Sequence, residues 1–178
     1  MLSRETLMTR AQSVRLLICD VDGVLTPGQV ILDNEAGEQK AFNIKDGLGI
    51  KLLQRSNIPT AIITGRTSHI VQRRMDELGV EHVFQGQTNK TQAYETLLKE
   101  LGIEPDEVAY VGDDLPDLPL MRRSGLGFAV KDASQFVLEK ADWVTEQKGG
   151  FGAVREIAEI ILSAQHKLDE LHQSYWQE

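Results

Sequence analysis

The sequence has a single cysteine, no basic run longer than two residues, and no apolar stretch of the roughly 20 residues that a membrane span needs. Each scarcity excludes something. Cys19 cannot close an intrachain disulfide, and its place in the run Leu16, Leu17, Ile18, Cys19 marks it as a small core residue. The pairs Arg73, Arg74 and Arg122, Arg123 are the longest basic runs, and 19 Lys and Arg against 27 Asp and Glu leave a net charge of −8. A chain of that sign is repelled by phosphate backbones, so no nucleic-acid partner is expected. Residues 1–15 scatter Arg4, Glu5, Arg10 and Arg15 among apolar positions, a pattern unlike a secretory leader. A cytoplasmic protein with no membrane association is expected.

What is present is enough chain for one compact domain of 178 residues without disulfides or a structural metal. Short apolar, β-branched runs recur at 15–20, 59–64, 82–85, 108–112, 126–130 and 143–145. Between them Leu48/Leu52/Leu53, Val71/Met75/Leu78 and Tyr94/Leu97/Leu98/Leu101 repeat with helical spacing. This alternation predicts an α/β fold, doubly wound around a mostly parallel sheet. Residues 28–43 break it with two strand-like pieces, 29–32 and 39–43, around the turn-rich Asp33 to Gly37, and predict an inserted β-hairpin. A final helix is predicted over 153–172. Its seam of Val154, Ile157, Ile161, Ala164, Leu168 and Leu171 suits either the chain's own sheet or another subunit.

Carboxylates gather where strands end. Asp20 and Asp22 follow the first run and, by strand alternation, point the same way, at the sheet edge where open α/β folds bind ligands. Asp113, Asp114 and Asp117 follow the fourth run. Brought together, the two groups would form an all-oxygen site for a hard ion such as Mg²⁺. Any one of these residues alone reads equally well as a turn former or helix cap. Two other strand ends supply anion-binding groups. Thr64, Gly65 and Arg66 offer a hydroxyl and backbone N–H groups opening a helix, and Lys90 begins the next helix against its macrodipole.

In this order, the segments from Asp20 to Thr26, from Ile63 to Arg66, Lys90, and from Gly112 to Asp117 resemble the four motifs of the haloacid dehalogenase superfamily of phosphotransferases. The resemblance implies that Asp20 attacks phosphorus, Asp22 serves as acid and base, and Thr64 and Lys90 hold the transferring oxygens. It also implies Mg²⁺ bound by Asp20, the main chain at Asp22, and Asp113, with Asp114 and Asp117 in support. Only 44 positions separate Asp20 from Thr64 and 26 separate Thr64 from Lys90, so neither gap holds a cap domain.

Within the superfamily the whole chain is similar to the capless phosphatases acting on 3-deoxy-D-manno-octulosonate 8-phosphate, an intermediate of the lipopolysaccharide inner-core sugar. That likeness rests on 43–47, 86–90, 112–117, 149–156 and 164–168. It implies a homotetramer in which the hairpins assemble and a neighbouring chain covers the site. It also implies that Asp22, Asn43, Ile44, Lys45, Asp46, Gly47, Lys51, Arg66, Arg74 and Lys90 contact a phosphorylated sugar acid. Lys45 and Lys51 stand where the family favours Arg, and Phe151 where many members carry Arg; a lysine cannot reproduce a bidentate carboxylate contact. Read without the resemblance, Asn43 and Asp46 are helix starters, Arg74 a surface charge, and Gly149, Gly150 and Gly152 a flexible joint. Three rival readings of the whole chain are a phosphatase for nine-carbon nonulosonate 9-phosphates of the sialic acid type, a phospho-acceptor signalling domain, and an inactive scaffold.

Overall fold

A computed structural model describes residues 1–32, 34 and 37–177. The first half of the chain forms α1 (Arg4–Ala11), β1 (Leu16–Cys19), β2 (Ile31–Leu32), β3 (Glu38–Gln39), α2 (Ile44–Arg55), β4 (Thr60–Ile63), α3 (His69–Leu78) and β5 (His82–Phe84). The second half adds α4 (Lys90–Leu101), β6 (Val108–Gly112), α5 (Leu118–Arg123), β7 (Leu126–Ala129), α6 (Gln135–Lys140), β8 (Trp143–Val144), α7 (Ala153–Ala164) and α8 (Leu168–Gln177). Among the described residues no helix is long and apolar enough to cross a membrane.

Six strands form one sheet in the order β5-β4-β1-β6-β7-β8, and every pairing in it is parallel. Helices cover parallel strands on both faces, so such strands need apolar side chains throughout, and β1, β4, β6 and β7 are buried at every position. From β1 the chain winds outward through β4 and β5, then returns to β6 on the other side. The crevice between the carboxyl ends of β1 and β6 is therefore the topological switch point, where folds of this class bind ligands.

The hairpin is present but short. β2 and β3 pair antiparallel with Ile31 opposite Gln39 and Leu32 opposite Glu38, so the expected strands over 29–32 and 39–43 shrink to two residues each. Of the expected turn, Asp33, Glu35 and Ala36 lie outside the described residues. β3 stops where Lys40 turns inward, its side chain only 3% exposed.

Two other expectations change. Leu48, expected on the buried face of α2, is 39% exposed. The single helix expected over 153–172 is two, α7 and α8. His166 adopts φ +57, and the amides of His166 and Lys167 close back on the carbonyls of Ser163 and Leu162. A left-handed residue with such bonds ends a helix; glycine usually fills that place, so the histidine gives no sequence signal. Val154, Ile157, Ile161 and Ala164 are buried within the chain, which decides their seam for the chain's own core.

A buried carboxylate fixes α7 against α2. Asp46, in the first turn of α2, accepts bonds from the amides of Gly152 (3.2 Å) and Arg155 (2.9 Å), more than a hundred positions away. It thereby satisfies amides that the α7 N-terminus would otherwise leave without partners. Burial raises the Asp46 pKa although the Arg155 amide works the other way. The charge itself is thus a strain and the acceptor atoms are the gain. Asp46→Ala is expected to cost about 1–3 kcal/mol of stability, the penalty for orphaned buried donors. Asp46→Asn, which keeps one acceptor, should cost less than half of that in urea denaturation.

Candidate active site

The carboxyl edge of the sheet holds a pocket of about 360 Å³ lined by Asp20, Asp22, Thr64, Arg66, Lys90, Asp113, Asp114 and Asp117, with Gly65, Gln87, Thr88 and Pro116. Size does not single it out, since a cleft of about 490 Å³ runs between Tyr94 and Arg123. Chemistry does. β1 ends at Cys19, so Asp20 and Asp22 stand in the loop beyond the strand, and it is the loop that turns both toward the pocket. The amide of Asp20 still bonds the Val111 carbonyl at 3.1 Å, which ties the loop to β6. Gly23 then takes φ +93, and a Cβ there would lie 2.1 Å from Oδ2 of Asp113. Only glycine lets the loop after β1 approach the carboxylate after β6 so closely.

Asp117 organises the centre. It is buried, its Oδ1 accepting from Lys90 Nζ and from the Tyr110 hydroxyl, both at 2.6 Å, while Oδ2 accepts from the amides of Asp113 (3.0 Å) and Asp114 (3.2 Å). Burial, with Asp117 and Asp20 nearby, pushes the Tyr110 hydroxyl well up, so it remains a neutral donor. Burial works against the charge of Lys90, but Asp20 and then Asp117 outweigh it and raise its pKa. A lysine at a helix N-terminus is thus explained by carboxylates beside it.

Lys90 Nζ lies 3.0 Å from Oδ1 of Asp20 without hydrogen-bond alignment, and this buried oxygen has no donor. Carboxylate oxygens of Asp20, Asp113 and Asp117 all come within 4.8 Å of one another. An oxygen-only donor set with an orphaned buried oxygen fits a hard dication. Burial first, then the charges of Asp117, Asp20 and Asp114, pushes Asp113 up to about 7. Asp114 is exposed and caps the turn that follows, its Oδ1 accepting from the Leu115 amide.

Thr64 is buried just past β4, and its carbonyl accepts from the amide of Gln87. The helix expected to open at 64–66 begins only at His69, so those residues form a loop instead. Asp22 bonds Lys40 through Oδ1 and has Arg66 Nε 3.7 Å from Oδ2. Sequence reasoning passed over Lys40, Glu38 and Tyr110. A tyrosine near the end of an apolar strand was a usable signal; for Lys40, read as one more hairpin residue, there was none.

The expected sugar-acid residues divide. Asp22, Arg66 and Lys90 line the pocket, whereas Asn43, Ile44, Lys45, Asp46, Gly47, Lys51 and Arg74 do not. Asn43 caps α2 and reaches the Gly150 carbonyl at 3.3 Å. Ile44 and Lys45 are exposed at the start of α2, Gly47 packs against the guanidinium of Arg74, and Lys51 is half-buried near Gly79. Arg74 pairs with Glu77 at 3.3 Å. Asp46 is 1% exposed, and its two oxygens accept from the amides of Gly152 and Arg155 at the start of α7.

Residues 81–157 match the family model for haloacid dehalogenase-like hydrolases. The chain is 52% identical over 163 residues to the 3-deoxy-D-manno-octulosonate 8-phosphate phosphatase of Salmonella typhi, covering 92% of this chain and 87% of that one. The solved enzyme of that name from Yersinia pestis superposes with a TM-score of 0.92 at 49% identity, over 93% and 89% of the two chains. Its counterpart from Moraxella catarrhalis, solved with a magnesium ion, a phosphate ion and a KDO molecule, gives 0.93 at 44% identity over 95% and 97%.

A dication at this cluster competes with the proton on Asp113. With that carboxyl near 7, protons occupy the site below pH 7 and leave it above. Calorimetric Mg²⁺ titration should therefore show binding weakened about tenfold between pH 8 and pH 6, with proton uptake by the buffer on binding at the lower pH.

Proposed function

The chain belongs to the 3-deoxy-D-manno-octulosonate 8-phosphate phosphatases among the haloacid dehalogenase-like hydrolases, and we propose that it works as one. It hydrolyses 3-deoxy-D-manno-octulosonate 8-phosphate to the free sugar acid and phosphate, in the synthesis of the lipopolysaccharide inner-core sugar. The observation that carries this reading is the buried Asp20 carboxylate. It stands at the switch point of a parallel sheet, with one oxygen free of donors and a buried ammonium beside it.

In the proposed reaction an oxygen of Asp20 attacks phosphorus and the bond to the sugar oxygen breaks. That oxygen takes a proton from Asp22, leaving the phosphoryl group on Asp20. Asp22 then takes a proton from water as the water oxygen attacks phosphorus, the bond to Asp20 breaks, and phosphate leaves. Lys90 and Thr64 hold the phosphoryl oxygens, and Asp117 keeps Lys90 in place. Mg²⁺, held by Asp20, the main chain at Asp22, and Asp113 with Asp114 in support, supplies the positive charge that lets a carboxylate approach a phosphate.

Arg66 sits at the pocket mouth. Asn43, Ile44, Lys45, Gly47, Lys51 and Arg74 stand outside the single-chain pocket, and in this reading they recognise the sugar acid where a neighbouring chain completes the site. A homotetramer assembled through the hairpins is supported by Val30, Ile31 and Leu32, three neighbouring apolar residues 56%, 45% and 73% exposed. A cytoplasmic location is supported by the lone free cysteine, which fits a reducing compartment.

Asp20→Asn is expected to abolish phosphate release while circular dichroism and oligomeric mass stay unchanged; retained turnover would remove Asp20 as nucleophile. Purified protein should also release phosphate faster from the eight-carbon than from the nine-carbon sugar-acid phosphate. A strong preference for the longer substrate would reassign the enzyme to nonulosonate 9-phosphates.

A further inference from the structure

Asp22 is held by a part of the chain outside the sheet. Its Oδ1 accepts from the ammonium of Lys40, which follows β3 and lies 3.6 Å from Oε1 of Glu38. The same Glu38 oxygen accepts from Arg66 at 3.0 Å, and its other oxygen accepts from the Ser68 hydroxyl at 2.8 Å. The hydroxyl of Ser68 first, and the two cations after it, hold the Glu38 pKa below the ordinary value. Glu38 thus stays charged and fastens the base of the hairpin to the loop after β4.

The burial of Lys40 needs a cause. Its side chain is 3% exposed, comparable to Lys90 at 4% and far below Arg66 at 48%. A lysine is buried this fully only when its charge is matched, and the matching groups here are Asp22 and Glu38. The short β2–β3 pairing ends before Lys40 and makes no demand on it. Asp22 itself is 24% exposed on a loop, with two free side-chain torsions. An unrestrained carboxylate there would spread over several rotamers, and only some would present an oxygen to the leaving group.

We propose that Lys40 is a positioning residue for proton transfer: it holds Asp22 by Oδ1, and leaves Oδ2, with Arg66 Nε 3.7 Å away, to exchange the proton with the leaving oxygen and with water. The hairpin then contributes to the chemistry of its own chain, in addition to any part in assembly. This rests on the reading of Asp22 as acid and base given above.

The test compares leaving groups. A sugar alkoxide needs a proton in order to leave, whereas p-nitrophenolate does not, so a defect in proton donation falls on the sugar ester and spares the aryl ester in relative terms. For Asp22→Asn, kcat/KM, which ends with phosphoryl transfer to Asp20 and so excludes the water step that both esters share, should fall about 10²-fold or more on 3-deoxy-D-manno-octulosonate 8-phosphate, and by a clearly smaller factor on p-nitrophenyl phosphate. Lys40→Met should repeat that selectivity at a lower level, with a loss of about 10- to 100-fold in kcat/KM on the sugar ester and a much smaller loss on the aryl ester. Lys40→Arg should restore most of the difference. Lys40→Gln takes the place of Lys40→Met if the latter does not fold. Equal losses on both substrates, or no loss, would overturn the role of Lys40 while leaving the phosphatase reading intact. Equal losses in Asp22→Asn would instead remove Asp22 as the acid, and the role of Lys40 with it.

Discussion

Lys90 carries its charge inside the protein, 2.6 Å from Asp117 and 3.0 Å from Asp20, although removing a cation from water costs several kcal/mol before its partners compensate. Those partners over-compensate. Asp20, Asp113 and Asp117 bring three carboxylates to one ammonium, so the ionised cluster holds two negative charges in excess, the charge a dication cancels. The elevated Asp113 pKa is the same excess seen as proton affinity. A site of this kind is poised for a metal because it is electrostatically incomplete without one.

The rest of the structure keeps those groups close. β1 and β6 are neighbours at the switch point, so the loops after them emerge side by side, and the glycine at position 23 removes the side chain that would separate them. A third loop closes from behind. A Cβ on Gly149 would lie 1.7 Å from the carbonyl oxygen of Gly23, and the Gly150 amide bonds the Val24 carbonyl at 2.8 Å. The loop that carries Gly149 and Gly150 leads directly into α7, which Asp46 ties to α2. The joint that local sequence would read as flexible is thereby packed against the motif it supports. Rigid placement of the acidic loops thus draws on segments more than a hundred positions apart.

Much of this was legible in one dimension. Each strand of the large sheet appears at its apolar run to within two residues, because strands covered by helices on both faces are mostly apolar. The strand-end residues Asp20, Asp22, Thr64, Lys90, Asp113, Asp114 and Asp117 line one pocket because a parallel sheet delivers all its carboxyl ends to the same edge. Other readings failed where the deciding partner was remote in sequence. The hold of Asp46 on the amides of α7 has no local signal in the sequence. The break at His166 depends on a backbone conformation that histidine seldom takes, and Lys40 had nothing local to distinguish it from a solvated hairpin lysine.

The sequence by itself determined the class of fold, the edge of the sheet where chemistry gathers, and the absence of room for a cap between the motifs. These follow from the periodicity and order of residues along the chain. The tertiary structure alone decided which oxygen of Asp20 is left without a donor, that Asp117 spends its oxygens on Lys90, Tyr110 and two amides, and that Asp22 is gripped by the hairpin. Those are questions of angle and burial among residues distant in the chain, and a carboxylate's role is set by which neighbours reach it first.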